Sequence, residues 1–194
     1  MERKREMRDN RIQSMVLVAV FAAITYLGIQ VFRIPMPAAV GTPFVHFGHV
    51  FVVMGIFLIG GKRGAVSGSI GLVVFDLLNG FVQDIPQVFL ETVFKCLVIG
   101  ALFAVLKKRA GKDVRKEFRA VFVCTVLYGL LNIVIEFVMG IVKMLFLGSN
   151  FAAAVAGSAV SIAATVINVV FLIAVILVIY LPVKRLYARA VGEM

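Results

Sequence analysis

Residues 107–119 read Lys-Lys-Arg-Ala-Gly-Lys-Asp-Val-Arg-Lys-Glu-Phe-Arg, and they separate two long apolar stretches, Val88 to Leu106 and Ala120 to Leu147. A membrane-spanning helix needs about 20 consecutive, mostly apolar residues. The link between the two stretches carries seven Lys or Arg residues. Because cytoplasmic links of membrane proteins are rich in such residues, this part of the chain predicts two transmembrane helices joined on the cytoplasmic side.

Four further apolar stretches flank this pair, and together they predict an all-α membrane protein with six transmembrane helices. They are Ser14 to Phe32, Phe44 to Ile59, Gly64 to Leu78 and Ala152 to Leu181. Six crossings would place 17 of the 20 basic residues on one side of the membrane, with only Arg33 in an outer connection. The charge pattern therefore predicts that the N- and C-termini are both cytoplasmic.

Composition supports a single membrane domain. Of the 194 residues 62% are hydrophobic and only 15% are charged, and the mean hydropathy is +1.06. A net charge of +10 would suggest nucleic-acid binding in a soluble protein, but here the basic residues flank apolar blocks. We expect a basic cytoplasmic N-terminus at 1–13, a six-helix membrane domain at 14–182 and a basic cytoplasmic tail at 183–194.

Polar side chains at membrane depth form the candidate site, because ionisable groups within a span are costly and are often functional. In the predicted topology they share the outer level of the bundle, below a Pro-rich loop that carries Arg33. They predict a pocket that opens to the outside and is closed toward the cytoplasm. These residues are His46, His49, Asp76, Asn79, Gln87, Glu91, Lys95, Asn132, Glu136, Lys143 and Asn168.

Structural roles are the alternative for individual members of this set. Glu91 and Lys95 are spaced i, i+4 and could neutralise each other. Glu136 and Lys143, spaced i, i+7, could form a second pair. Asp76 could cap or bridge helices, and the two histidines could lie at the membrane interface without a ligand.

Small residues form two further patterns. Ala19 and Ala23 are four residues apart on the first helix, with Ala22 beside them, and such a stripe allows another helix to approach closely. The partner helix could belong to another protein or to the same chain. The second pattern predicts tight packing between helices 2 and 3. It comprises Gly60, Gly64, Gly68 and Gly71.

No catalytic motif accompanies the polar residues. The sequence has no H-E-x-x-H, no G-x-S-x-G and no phosphate-binding Gly-Lys-Ser/Thr. His46-x-x-His49 has no evident third metal ligand. We therefore expect no enzyme activity, cofactor or metal. Two other classes stay open: a stand-alone small-solute transporter or channel, and a membrane enzyme using Glu91, Glu136 or the histidines.

Nearly the whole chain resembles the substrate-binding S components of energy-coupling factor (ECF) transporters, which take up vitamins across bacterial and archaeal cell membranes. The six-helix layout, the alanine stripe and the stretch from Phe47-Gly48-His49 through Gly60-Gly61-Lys62-Arg63-Gly64-Ala65 to Asp76-Leu77-Leu78-Asn79-Gly80 are similar to that family. The family pattern has Leu and Asp where this chain has Phe47 and His49.

The resemblance implies a mechanism and partners. An S component binds its vitamin from outside, associates with a transmembrane coupling subunit and two cytosolic ATPases, and topples to deliver the ligand. It implies that Ala19, Ala22 and Ala23 dock on the coupling subunit, and that residues 33–46 cover the pocket. Residues on helices 4 to 6 would line the pocket: Glu91, Lys95, Asn132, Glu136, Lys143 and Asn168.

The mixed charges and amides favour a small polar heteroaromatic ligand, with a B6 vitamer or hydroxymethylpyrimidine as the first choice. Riboflavin, niacin, pantothenate, folate and a queuosine precursor are alternatives.

Overall fold

The structure, a computed structural model, describes residues 2–35 and 44–191, and for residues 2–10 it describes the backbone alone. Within these residues the fold is all-α apart from one two-stranded ribbon, in which Ile34 pairs with Val45 and Pro35 with Phe44. In chain order the elements are α1 (Glu2–Gln30), β1 (Ile34–Pro35), β2 (Phe44–Val45), α2 (Gly48–Ile59), α3 (Gly61–Asn79), a 3₁₀ turn (Val82–Asp84), α4 (Ile85–Ala110), α5 (Val114–Phe146) and α6 (Phe151–Val191).

Local sequence signals set several of the helix ends. Asp113 caps α5, since its carboxylate accepts hydrogen bonds from the backbone N–H groups of Arg115 and Lys116 at 2.9 and 3.2 Å. Gly80 ends α3 in the left-handed conformation at φ 83°. Gly60 alone joins α2 to α3 at φ 88° and ψ 157°, a region open almost only to glycine. Gly60 thus forms a turn, and nothing lies within 4 Å of where its Cβ would be.

Helix α2 is the centre of the bundle. Nine of its 12 residues are buried, among them Val52 and Val53 at 0% exposure. It packs against every other helix, most extensively α3 and α1. At about 1.5 Å per residue, 12 residues extend roughly 18 Å, which is shorter than the ~30 Å apolar core of a bilayer. Because the other helices bury nine of its 12 residues, α2 offers little surface to a surrounding bilayer.

By length and composition, four helices of the described chain could cross a membrane: Arg11–Gln30, Val82–Ala110, Val114–Phe146 and Phe151–Val191. Helix α2 is apolar but short, and α3 contains four glycines and two serines that lower its hydropathy. The described residues form six α-helices, and four of them meet the length and composition of a membrane span. The crossing count of six and the cytoplasmic location of both termini stay predictions.

The helices also differ in extent from the predicted spans. Helix α2 begins at Gly48, four residues later than predicted, because Phe44 and Val45 are extended in the ribbon. Helix α6 continues through Pro182 to Val191, so most of the basic segment predicted as a C-terminal tail is helical.

The glycines of α3 lie against three different helices. A Cβ on Gly64 would come within 2.9 Å of the Ile56 backbone nitrogen on α2, and one on Gly71 within 2.6 Å of the Ala22 carbonyl oxygen on α1. One on Gly68 would contact Val52 on α2 and Thr92 on α4. The small glycines therefore allow α3 to pack closely against each of α1, α2 and α4.

The bundle has two chemically distinct ends. We call the end with β1, β2 and the 3₁₀ turn the hairpin end, and the end with the Gly60 turn and the 107–119 link the basic end. At the basic end, Glu117 of α5 accepts hydrogen bonds of 2.5 Å from both Tyr180 and Lys184 of α6. This buried carboxylate was not singled out from the sequence, and it joins the two longest helices.

Candidate functional site

A cavity of about 630 Å³ lies at the hairpin end between α3, α4, α5 and α6. Its walls combine carboxylates, amides, hydroxyls and one lysine with aromatic and sulfur-containing side chains. The lining residues are Phe44, Asp76, Phe81, Gln83, Asp84, Gln87, Val88, Glu91, Glu136, Met139, Gly140, Lys143, Met144, Leu147, Gly157, Ser158, Ser161, Ile162 and Thr165. The volume falls in the usual range of small-molecule sites, about 300–1,000 Å³.

Five of the residues predicted for the pocket line this cavity: Asp76, Gln87, Glu91, Glu136 and Lys143. They come from α3, α4 and α5, so residues up to 67 positions apart in the sequence face one space. Asp76 and Glu91 are each only 8% exposed. Their buried Oδ2 and Oε2 atoms accept no hydrogen bond from the described residues.

The one lysine of the lining is paired with a carboxylate that the sequence analysis did not select. Lys143 Nζ lies 2.5 Å from Asp84 Oδ1, joining α5 to the 3₁₀ turn. The proposed pair of Glu136 with Lys143 is absent from the ion pairs of the described residues. Lys143 instead donates its hydrogen bond to Asp84, which lies 59 positions away in the sequence.

Behind the cavity lies a second polar layer. Lys95 is fully buried; its Nζ donates a 2.6 Å hydrogen bond to Asn132 Oδ1 and lies 3.8 Å from Glu91 Oε2. Glu91 is thus shared between this layer and the cavity. The predicted Glu91–Lys95 pair is therefore present, and Asn132 supplies the hydrogen bond that positions the ammonium group.

The same layer continues to His49. The His49 ring nitrogen Nδ1 lies 3.1 Å from the Tyr128 hydroxyl, and Lys95 Nζ lies 5.7 Å from the centre of the Tyr128 ring. His46 is next to His49, with ring centres 5.1 Å apart. Among the described residues no group of three metal-ligating side chains is present, and neither histidine lines the cavity.

Asn168, predicted to line the pocket, instead holds the ribbon. Its side-chain oxygen accepts a 2.9 Å hydrogen bond from the His46 backbone N–H, and its side-chain nitrogen donates one of 2.9 Å to the Phe44 carbonyl. One amide thus secures the backbone on both sides of Val45. Since the Phe44 ring lines the cavity, Asn168 positions a wall of the site.

Arg33 and Asn79 lie at the edge of the same ribbon. The Arg33 guanidinium donates to Asn79 Oδ1 at 3.3 Å and stacks over the rings of Phe44 and Phe75 at 5.5 and 5.7 Å. Asn79 also donates to Gln30 Oε1 at 3.0 Å, so it joins α1 to α3. Residues 36–43, which make up most of the predicted cover, lie outside the described residues.

Several lining residues were missed from the sequence. On α6, Ser158, Ser161 and Thr165 face the cavity, and their i, i+3, i+7 spacing is a helical-face signal that could have identified them. Asp84 and Phe81 belong to the connection between α3 and α4, and no periodicity marks such residues.

A second, apolar groove of about 690 Å³ runs between α1 and α3. Ala19 and Ala23 line it and are exposed, whereas Ala22 lines it but is only 6% exposed and packs beside Gly71 of α3. The alanine stripe therefore has an outer part, Ala19 and Ala23, and an inner part, Ala22.

Comparison with known proteins matches these features to one family. No curated protein matches the chain. A family model described as the ECF-type riboflavin transporter, S component, matches residues 9–185, a range that includes all of α2 to α5, most of α1 and α6, and every residue of the cavity. The chain therefore belongs to the family of ECF-type riboflavin transporter S components.

Proposed function

We propose that this chain binds riboflavin from outside the cell in the cavity at the hairpin end and delivers it by toppling on a coupling subunit. As an ECF S component it is a multi-pass membrane protein and the substrate-binding subunit of a transporter, and its family is a transporter family. Members of that family bind a small vitamin and work with a transmembrane coupling subunit and ATPases.

The observation that carries the proposal is the cavity itself. Phe44, Phe81, Met139 and Met144 offer apolar and aromatic faces of the kind that contact a planar ring system. Ser158, Ser161 and Gln87 offer hydrogen-bonding groups for a polyhydroxylated chain. A three-ring flavin would use about 630 Å³ more fully than a single-ring B6 vitamer or hydroxymethylpyrimidine, which remain the alternatives.

Riboflavin binding can be tested by titrating the detergent-purified full chain and following the quenching of flavin fluorescence. Ser158→Phe places a large ring in the cavity, where Ser158 is 4% exposed. We expect affinity to fall at least about tenfold, equivalent to ~1.4 kcal/mol. The matched control is Val160→Phe, because Val160 is on the same helix, 53% exposed and outside the cavity.

The result also separates the candidate ligands. Wild-type protein that ignores riboflavin but binds pyridoxal or hydroxymethylpyrimidine would replace the proposed substrate while keeping the site. Equal loss of affinity in Ser158→Phe and Val160→Phe would show that riboflavin binds elsewhere.

We further propose that the exposed alanines, Ala19 and Ala23, form the docking surface for the coupling subunit. Support comes from their exposure along the apolar groove between α1 and α3, since small residues allow a partner helix to approach closely. Ala22, which is buried, would then act by packing α1 on α3.

The docking proposal predicts that transport and binding can be separated. Ala19→Phe with Ala23→Phe should abolish vitamin uptake in proteoliposomes containing the coupling subunit and ATPases, while riboflavin affinity stays within about twofold. Val20→Phe is the control, because Val20 is 49% exposed on the same helix but outside the groove. Loss of binding together with transport would mean that the stripe packs internally.

A further inference from the structure

We infer that the cavity contains an acidic subsite, formed by Asp76, Glu91 and Glu136, that binds a protonated amine or a cluster of hydrogen-bond donors and disfavours anionic ligands. The inference rests on the proposed function, because it concerns the substrate class of the same cavity. It adds a charge preference that the family description does not state.

The first argument is the balance of charged groups. The cavity is lined by four carboxylates, those of Asp76, Asp84, Glu91 and Glu136, and by one lysine, Lys143. That lysine is already paired with Asp84 at 2.5 Å. Lys95, which is not part of the lining, is fully buried behind Glu91; its Nζ donates a 2.6 Å hydrogen bond to Asn132 and lies 3.8 Å from Glu91 Oε2. Among the described residues of the lining, Asp76 and Glu136 thus form no ion pair, and Glu91 is paired only with Lys95 behind the cavity wall.

The second argument is independent of the first and concerns hydrogen bonding. Buried polar atoms are nearly always hydrogen-bonded, and each exception requires an explanation. Asp76 Oδ2 and Glu91 Oε2 are buried in side chains more than nine-tenths buried, line the cavity, and have no hydrogen-bond partner among the described residues. Ser158 Oγ, across the cavity on α6, is in the same situation.

These atoms identify the ligand chemistry. A carboxylate accepts hydrogen bonds and binds ammonium groups, whereas it repels phosphate and carboxylate. Asp76 Oδ2 on α3 and Glu91 Oε2 on the adjacent α4, which accept no hydrogen bond from the described residues, therefore fit a group that donates two or more hydrogen bonds. Hydroxyls of a sugar-like chain satisfy this requirement, and a primary ammonium group satisfies it with added charge attraction.

The test compares three flavins that differ only at the end of the ribityl chain, which carries a hydroxyl in riboflavin, a phosphate in flavin mononucleotide and a primary amine in 5′-amino-5′-deoxyriboflavin. Binding to the full chain is measured by fluorescence quenching. We expect the amine to bind at least tenfold more tightly than the phosphate. In Asp76→Asn with Glu91→Gln, which preserves side-chain shape, this ratio should fall toward one.

A measurement on the wild-type chain covers the case in which the variant does not fold. Salt screens buried charges much less than exposed ones, so the ratio of amine to phosphate affinity should stay well above one at both low and high salt; a ratio that falls to one at high salt would show that exposed charges outside the cavity cause the preference. Lys143→Met, which removes the cation of the lining, should change the ratio in the opposite direction from Asp76→Asn with Glu91→Gln.

The outcomes distinguish this inference from the proposed function. Riboflavin binding with equal affinities for the amine and the phosphate would overturn the acidic subsite and leave the proposed substrate intact. Absence of binding by all three flavins would overturn the proposed substrate. The acidic subsite is then judged by the same ratio measured with pyridoxamine and pyridoxal phosphate, and it is overturned if the phosphate binds as well as the amine or if neither binds.

Discussion

Replacing Gly71 with alanine tests how closely α1 and α3 are packed. The added Cβ would lie 2.6 Å from the Ala22 carbonyl oxygen, 2.7 Å from Thr25 Cβ and 2.9 Å from Thr25 Cγ2. Ordinary carbon contacts are about 3.5–4.0 Å, so α1 and α3 would have to move apart by roughly 1 Å. The carbonyl belongs to helix backbone, and Thr25 is fully buried with its hydroxyl donating to the Phe21 carbonyl at 2.7 Å.

The expected cost follows from these contacts. Overpacking a well-packed interior costs about 1–3 kcal/mol, and three contacts with two groups that cannot rotate away place Gly71→Ala at the upper end of that range. The matched control is Gly55→Ala on α2, where the nearest atom would be at 3.4 Å. Both changes gain the same helix propensity of about 1 kcal/mol, so this contribution cancels in the comparison.

The measurement is the temperature at which half of the protein leaves the monodisperse peak in size-exclusion chromatography after heating. Stability changes convert to about 2–4 °C per kcal/mol for a chain of this size. The half-loss temperature of Gly71→Ala should therefore lie roughly 5–10 °C below that of Gly55→Ala. Equal temperatures for the two variants would refute the close packing of α1 on α3.

Two other changes test buried charges. Glu117→Gln should lower the free energy of unfolding by about 1–3 kcal/mol, because the carboxylate accepts hydrogen bonds from Tyr180 and Lys184; a thermal stability equal to that of the wild type would contradict this role. Lys95→Met should lower it by roughly 3–5 kcal/mol, since the Glu91 carboxylate then stays buried without its cation. Adding Glu91→Gln to Lys95→Met should recover part of that loss, and strictly additive losses would show that the two residues are not coupled.

The sequence predicted well what depends on local composition. The apolar stretches and the basic link at 107–119 gave α4 and α5 in the correct places, because hydrophobic length and flanking charge are properties of neighbouring residues. It also predicted that Asp76, Glu91 and Glu136 face one space. Ionisable residues within a span are costly in contact with lipid, so those at one membrane depth face the interior of the bundle together.

Partner choice between distant residues could not be predicted in this way. Lys143 pairs with Asp84 rather than Glu136 because the 3₁₀ turn approaches α5, and the position of that turn depends on the tertiary packing of α3 and α4. Asn168 was selected correctly as a polar residue of interest, but its role in holding the ribbon depends on where β2 lies. Helical periodicity could have identified Ser158 and Thr165, since that signal is local.

The two hydrogen bonds of Asn168 have a consequence for kinetics. Phe44 is a wall of the cavity, and its backbone is held together with that of His46 by one side-chain amide of α6. For the proposed ligand to leave past Phe44, the ribbon would have to move and both hydrogen bonds would have to break. At about 0.5–1.5 kcal/mol each, they would slow dissociation roughly 10- to 100-fold. If the cavity binds the proposed ligand, Asn168 would therefore lengthen its residence time without lining the cavity, and a shift of α6 relative to the ribbon would break both hydrogen bonds.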